Sequence, residues 1–260
     1  MPSLRSPTTD PATGGTDPLA WMRETVFAHR GLHGKGLVEN SMSAFAAAIE
    51  RGLGIECDLR KSRDGRAVVF HDATLDRVTG QQGEVRSMSV GQLTAVRFKD
   101  SEDAIPTLRD LLDLVAGRVP LMLEIKSDDR RPISPLCRAV RAELEGYRGP
   151  VAVMSFDPRV PAWFAGKHSP VPRGLVVTEQ DRRTLLDGLK RRFAIATSRA
   201  QFLAWDVRDL PSALAERERR RGKVLASWTV RDGAQWDMAV KCGAAPVAEG
   251  AVLENHGPGS

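Results

Sequence analysis

At 260 residues, with 42% apolar and 27% charged side chains, the chain has the composition of a folded globular protein rather than a disordered or fibrous one. Its formal charge of +5 suits an anionic ligand, but aromatic residues make up only 5% and no basic segment is interleaved with them as in a nucleic-acid module. Cys57, Cys137 and Cys242 are too few for a disulfide framework and lack metal-site spacing, and no run approaches the ~20 apolar residues of a membrane span. A reduced, cytoplasmic protein without stable membrane insertion is expected, as a monomer or homodimer.

Residues 1–18 are rich in Pro, Thr, Ser, Gly and Asp and read as a disordered tail, without the apolar centre of a signal peptide. Strand-like and helical runs then alternate. Strands are expected at 26–28, 55–59, 121–125, 151–155, 174–177, 202–205, 223–228 and 246–248, and helices at 41–51, 107–115, 134–144, 159–167, 182–193, 211–220 and 234–242. Ser41, Thr107 and Ser134 read as helix caps and Pro211 as an early helical proline; behind Ser41, Met42, Phe45, Ala46 and Ile49 recur at helical spacing. The charged runs at 190–192 and 216–221 fall on helices and read as solvated faces. Eight strands joined by helices predict an α/β fold, a TIM-type (β/α)8 barrel over 19–252, with its site where strands end and βα loops begin. Residues 253–260 are expected to form a C-terminal tail.

One unit breaks the pattern. Asp64-Gly65 between strand-like runs is a hairpin signal; with a two-residue loop, Arg63 faces Arg66 and the register carries His71 opposite Asp58. Glu56 shares that face by alternation, and Cys57 points away into packing. The stretch 75–105 is too long for an ordinary βα loop and predicts a small inserted subdomain over the site, after the second strand.

Strand ends carry the chemistry. Glu56, Asp58 and Glu124 offer hard oxygen ligands suited to one divalent cation, Mg2+ or Ca2+ foremost and Mn2+ as a further candidate, rather than zinc. His29 and His71 titrate near neutrality and suit proton removal from a nucleophile and protonation of a leaving alkoxide. Arg30 can grip phosphate with two parallel hydrogen bonds, and Lys126 adds a compact charge beside Glu124. Together these are the parts of a metal-assisted phosphoryl-transfer site. His33 is close enough in sequence to assist, whereas His168 and His256 read as solvated surface residues; Trp205 ends a strand from which it can reach the pocket.

The ordered set His29-Arg30-Gly31, Glu39-Asn40-Ser41, Glu56-x-Asp58, Asp64-Gly65, His71-Asp72 with Thr74-Leu75-Asp76-Arg77, Ile105-Pro106-Thr107-Leu108, Glu124-x-Lys126 and Trp228-Thr229-Val230 resembles the glycerophosphodiester phosphodiesterase family over 26–232. The resemblance implies a distorted barrel with a small insertion, a divalent cation, and hydrolysis of small glycerophosphodiesters to an alcohol and sn-glycerol 3-phosphate. It further implies that His29 and His71 form the acid/base pair, that Glu56, Asp58 and Glu124 hold metal, and that Arg30 and Lys126 bind phosphate. Glu39 would touch substrate or order the site, and Trp228 would pack on the glycerol portion. The sequence departs from the family at 246–252, where Pro-Val-Ala-Glu-Gly replaces a strand of the Gly-Ile-Ile-Thr-Asp kind. Two other functions fit the same residues: a phospholipase D-like enzyme acting on lysolipid or sphingolipid, which should require an exposed apolar docking surface or secretion, and a catalytically silent barrel that binds a phosphorylated ligand.

Overall fold

The computed structural model describes residues 17–128, 131–180 and 184–256. Apart from Asp17 and Pro18, the tail expected at 1–18 lies outside them. In chain order the elements are α1 (Ala20–Arg23), β1 (Phe27–His29), α2 (Met42–Glu50), β2 (Gly54–Lys61), β3 (Ala67–Val69), α3 (Val90–Leu93), α4 (Leu108–Val115), β4 (Leu121–Ile125), α5 (Ser134–Leu144) and β5 (Val151–Ser155). Then follow α6 (Arg159–Gly166), β6 (Arg173–Val177), α7 (Leu185–Ser198), β7 (Phe202–Asp206), α8 (Ala213–Arg220), β8 (Val224–Val230), α9 (Gly233–Lys241), β9 (Ala244–Ala248) and α10 (Val252–His256).

Eight strands pair in parallel in the ring β1-β2-β4-β5-β6-β7-β8-β9, and β9 returns to β1. This is the expected (β/α)8 barrel, and the unusual Pro246-containing run is its eighth parallel strand. Such strands are covered on both faces and therefore read as continuous apolar runs; all five residues of β4 are buried. Alternate residues feed two cores. Phe27, Met122, Ala152, Phe202, Ala204 and Val247 fill the barrel interior, which α1 also enters through Met22. Ile55, Cys57, Leu121, Leu123 and Val153 face the other way and pack with helical residues such as Phe45, Leu111 and Val140. Gly174 is required by the interior: a Cβ there would stand 2.3 Å from the Phe202 ring.

The distortion is localised at the β1–β2 seam. β1 stops where His29 pairs with Glu56, while β2 runs on to Lys61. β3 then pairs antiparallel with that edge, Leu59 opposite Val69 and Lys61 opposite Ala67. The seam therefore opens just above Glu56.

The hairpin register differs by one residue from the sequence expectation. Its loop has three residues, not two: Ser62 N–H donates to the Arg66 carbonyl at 2.9 Å, and Gly65 takes the left-handed conformation at φ +84°. The Ser62 hydroxyl stabilises this longer loop by binding Asp64 at 2.6 Å and accepting from Arg66 N–H at 2.9 Å. Phe70, not His71, consequently stands opposite Asp58, donating its N–H to the Asp58 carbonyl at 2.9 Å. His71 lies beyond the last strand pair, in the bend that follows.

Between β3 and α4 the chain builds a small core of its own, in which Phe70, Leu75, Val85, Leu93, Phe98 and Ile105 are buried together. Its regular structure is limited to a 3-10 turn at Val85–Ser87 and α3. Helix starts agree with expectation at Ser41 and Thr107, whose side chains accept from Ala44 and Asp110 N–H. They differ at α5, where Ile133 precedes the helix and Ser134 is its first residue, and at α8, which Ser212 caps after Pro211. The expected tail at 253–260 is helical as far as His256, because Val252 and Leu253 are buried and the His256 ring stacks on Trp236 at 4.9 Å.

Candidate active site

The carboxyl end of β1 turns sharply into the site. Arg30 and Gly31 both have positive φ, +56° and +81°, and a Cβ on Gly31 would meet Phe45 and Ala44 of α2 at 2.9–3.0 Å. This turn brings the Arg30 N–H to Glu56 at 3.1 Å and its guanidinium to Glu39 at 2.7 Å and Asp58 at 3.3 Å.

Strand alternation aims Glu56 and Asp58 at the same face, and the β2–β4 register sets Asp58 beside Glu124. The ligand oxygens of Glu56, Asp58 and Glu124 lie within 4.8 Å of one another, all three residues buried. Lys126 Nζ bridges Asp58 at 2.9 Å and Glu124 at 2.6 Å. Burial, followed by the charges of Asp58 and Glu124, pushes the Glu56 carboxyl well above its ordinary range. Burial also raises Glu124, against the pull of Lys126. For Asp58 burial is outweighed by Lys126 and Arg30, which hold it low. Three buried carboxylates beside the two cations Arg30 and Lys126 are an electrostatically frustrated set, and an all-oxygen donor group fits a hard divalent cation. The donor chemistry thus matches the expected metal.

Both histidines are oriented by carboxylates. His29 Nδ1 lies 2.5 Å from Glu249, and His71 Nδ1 lies 2.6 Å from Asp72. A carboxylate can only accept, so each Nδ1 carries the proton and each Nε2 keeps its lone pair. Nε2 of His29 stands 3.9 Å from Glu56. Burial lowers both imidazoles below the usual histidine value, although Glu249 opposes the shift at His29 and Asp58 opposes it at His71. His71 thus joins the carboxylates as expected, by way of the bend after β3 rather than by cross-strand pairing.

Several residues to which the sequence assigned no role in the site take part in it. Glu249 follows β9 and accepts from His29, contacts His33 at 3.4 Å and pairs with Arg231 at 2.7 Å; the hydrogen bonds from the two rings and the Arg231 charge outweigh burial and hold its carboxyl low. Its signal was available, because it is a carboxylate at a strand end like the others. Asn40 is buried and clamps Asp58, donating its amide to the carboxylate at 2.9 Å and accepting the Asp58 N–H at 3.3 Å. Arg77 reaches Glu39 at 2.7 Å and Asp72 at 2.6 Å, tying the inserted segment to both sides of the site. Glu39 is therefore held between Arg30 and Arg77.

The apolar wall is Trp228, half-buried, whose indole donates to the Ala204 carbonyl at 2.9 Å and packs edge-on against Phe156 at 5.3 Å. Trp205 does not reach the site: it is fully buried among Leu175, Val177 and Ile195 on the helix side of the sheet. His33 joins the site through Glu249. Nitrogen and oxygen atoms of His29, His33 and Glu249 also come within 4.8 Å of one another, but the 2.5 Å separation between His29 and Glu249 is that of a hydrogen-bonded pair.

The strand ends of this (β/α)8 barrel thus gather a carboxylate cluster, two carboxylate-held histidines and a pair of cations. Residues 29–249 match the glycerophosphoryl diester phosphodiesterase family, and the chain belongs to that family. It is 37% identical over 114 residues to a glycerophosphodiester phosphodiesterase of Caldanaerobacter subterraneus subsp. tengcongensis, which covers 41% of this chain and 46% of the relative. A Bacillus altitudinis glycerophosphodiester phosphodiesterase is 37% identical over 108 residues, 39% of this chain and 44% of the relative. The chain thus spans about half the length of these curated relatives.

Among solved structures, an Oleispira antarctica phosphodiesterase in complex with the product sn-glycerol-3-phosphate superposes with a TM-score of 0.74 at 20% identity, covering 86% of this chain and 92% of that one. The glycerophosphodiester phosphodiesterase of Thermotoga maritima gives 0.68 at 24% identity, with 86% and 94% covered. Both likenesses establish the fold. No helix among the described residues is long and apolar enough to cross a membrane.

Proposed function

We propose that the protein is a metal-dependent glycerophosphodiester phosphodiesterase that hydrolyses its substrate to an alcohol and sn-glycerol 3-phosphate. The observation that carries this reading is the convergence, at one barrel mouth, of a buried three-carboxylate donor set with two histidines whose Nε2 atoms are left free. Support also comes from the family membership and from the product-bound fold relative.

Glu56, Asp58 and Glu124 hold the cation. When bound, it neutralises charge on the transferring phosphoryl group and polarises its oxygens. Arg30 and Lys126 bind the phosphate; Lys126 has three donors and two of them are engaged by Asp58 and Glu124, leaving one for substrate. Glu39, gripped by Arg30 and Arg77, keeps the Arg30 guanidinium aimed at the site. Trp228 and Phe156 offer an apolar wall to the glycerol carbons.

His29 and His71 share the proton traffic. One accepts through Nε2 the proton of the attacking group, either water or the neighbouring glycerol hydroxyl, and the other, protonated, delivers a proton to the departing alcohol oxygen as its P–O bond breaks; if the glycerol hydroxyl attacks, water then opens the cyclic phosphate with the two roles exchanged. Glu249 and Asp72 hold each ring in the tautomer that leaves Nε2 free and stabilise the imidazolium once formed. Glu249→Gln keeps the side-chain volume but removes the charge; kcat is expected to fall by about tenfold or more with KM little changed, because the loss falls on the transition state. A change in KM alone would assign Glu249 to substrate binding.

The reaction is tested by incubating the purified protein with glycerophosphocholine, glycerophosphoethanolamine and a lysolipid in the presence of Mg2+. Choline or ethanolamine together with sn-glycerol 3-phosphate is expected. Release of phosphocholine and glycerol would place cleavage on the other side of phosphorus, and turnover of the lysolipid alone would favour the phospholipase D-like reading.

A further inference from the structure

Helix α7 turns an apolar stripe to solvent. Its barrel-facing side is occupied by buried Ile195 and by Arg191, which donates to the Thr178 carbonyl at 3.1 Å. At about 100° per residue, Leu186, Leu189 and Phe193 fall within about 60° of one another on the opposite side. They are 68%, 60% and 71% exposed, three of the five large apolar side chains left open among the described residues. Single exposed apolar residues are ordinary, but a contiguous stripe marks a contact surface.

The charge around the stripe has one sign. Exposed Lys190 borders it on one side and exposed Arg192 on the other. The exception, Asp187 of the first turn, is folded into the cap with Thr184, keeps 12% side-chain exposure and stands 4.0 Å from Lys190 Nζ. Among the described residues nothing covers the stripe. A second copy fits poorly, since a two-fold pairing through α7 would lay Lys190 and Arg192 near their own counterparts. An anionic lipid surface accepts both features, apolar side chains at the acyl boundary and cations at the headgroups.

We propose that α7 docks the protein on anionic lipid surfaces through Leu186, Leu189 and Phe193, with Lys190 and Arg192 supplying the electrostatic attraction. The stripe starts in the first turn of α7, at the carboxyl end of β6, which is the end of the barrel that carries the site. Phe156, 45% exposed after β5 at that same end, packs on Trp228.

The test is co-sedimentation of the full chain with phosphatidylcholine vesicles made with and without phosphatidylglycerol, a measurement that involves no turnover and does not depend on the proposed reaction. Binding is expected to the anionic vesicles and to weaken with added salt. Leu189→Ser/Phe193→Ser is expected to lower partitioning by about tenfold or more, with Tm and far-ultraviolet circular dichroism unchanged. Lys190→Gln/Arg192→Gln should remove the preference for anionic vesicles. Absence of binding, binding that survives the Leu189/Phe193 replacement, or a solution dimer that this replacement dissociates would overturn the proposal.

Discussion

Alanine at His29 is expected to lower kcat for glycerophosphodiester hydrolysis by about 10²-fold or more, with a comparable loss from alanine at His71. Both rings are held through Nδ1 by a carboxylate, His29 by Glu249 at 2.5 Å and His71 by Asp72 at 2.6 Å. Truncation leaves no other imidazole so held among the described residues; His33 contacts Glu249 at 3.4 Å but has no carboxylate of its own. The two losses should not multiply in the double variant, because proton removal and proton delivery belong to one displacement. Steady-state kinetics of the two single variants and the double variant check this. Full activity in either single variant would remove that residue from the acid/base pair.

The second large effect concerns Glu56, whose carboxyl is pushed well above its ordinary range by burial and by its neighbours Asp58 and Glu124. Glu56→Gln preserves shape and leaves an oxygen to accept the Arg30 N–H, but removes one charge from the donor set. Activity is expected to fall by about 10²-fold or more, the scale on which losing a group that stabilises transition-state charge is felt. Stability of the metal-free protein should move the opposite way. A carboxyl whose folded pKa lies above the unfolded one binds its proton more tightly when folded, so its contribution is lost as pH rises from about 4.5 through the folded value. The neutral amide avoids that loss, so Tm without metal should rise at neutral pH while the stabilisation gained on adding Mg2+ shrinks. A lowered Tm with an unaltered Mg2+ response would contradict the assignment of Glu56 to the metal.

Much of this site was legible in the chain because strand ends and period-two alternation are local properties. Glu56 and Asp58 facing one way with Cys57 facing the other, and Glu124 and Lys126 at the end of the next parallel strand, follow from spacing alone. His71 was reached by a register one residue out, since the Ser62 hydroxyl, invisible to a rule based on Asp-Gly, stabilises a three-residue loop. Asn40 and Arg77 act from loops, where sequence separation carries no information about distance: Arg77 and Glu39 meet across 38 residues. Glu249 lies in the segment that departs most from the family pattern, and only the closure of β9 on β1 brings it to His29. At α7, the charged run at 190–192 read as a solvated face, and its sequence hides the exposed leucines and Phe193 that only burial reveals.

Chelation followed by repletion tests most directly whether cation binding at Glu56, Asp58 and Glu124 enables cleavage of a glycerophosphodiester. The protein is stripped of divalent cations, assayed with glycerophosphocholine, then assayed again with Mg2+, Ca2+ or Mn2+, reading sn-glycerol 3-phosphate throughout. Loss of product on chelation and its return with one or more of the added ions is the expected result. Undiminished formation of sn-glycerol 3-phosphate by the fully stripped protein would contradict it.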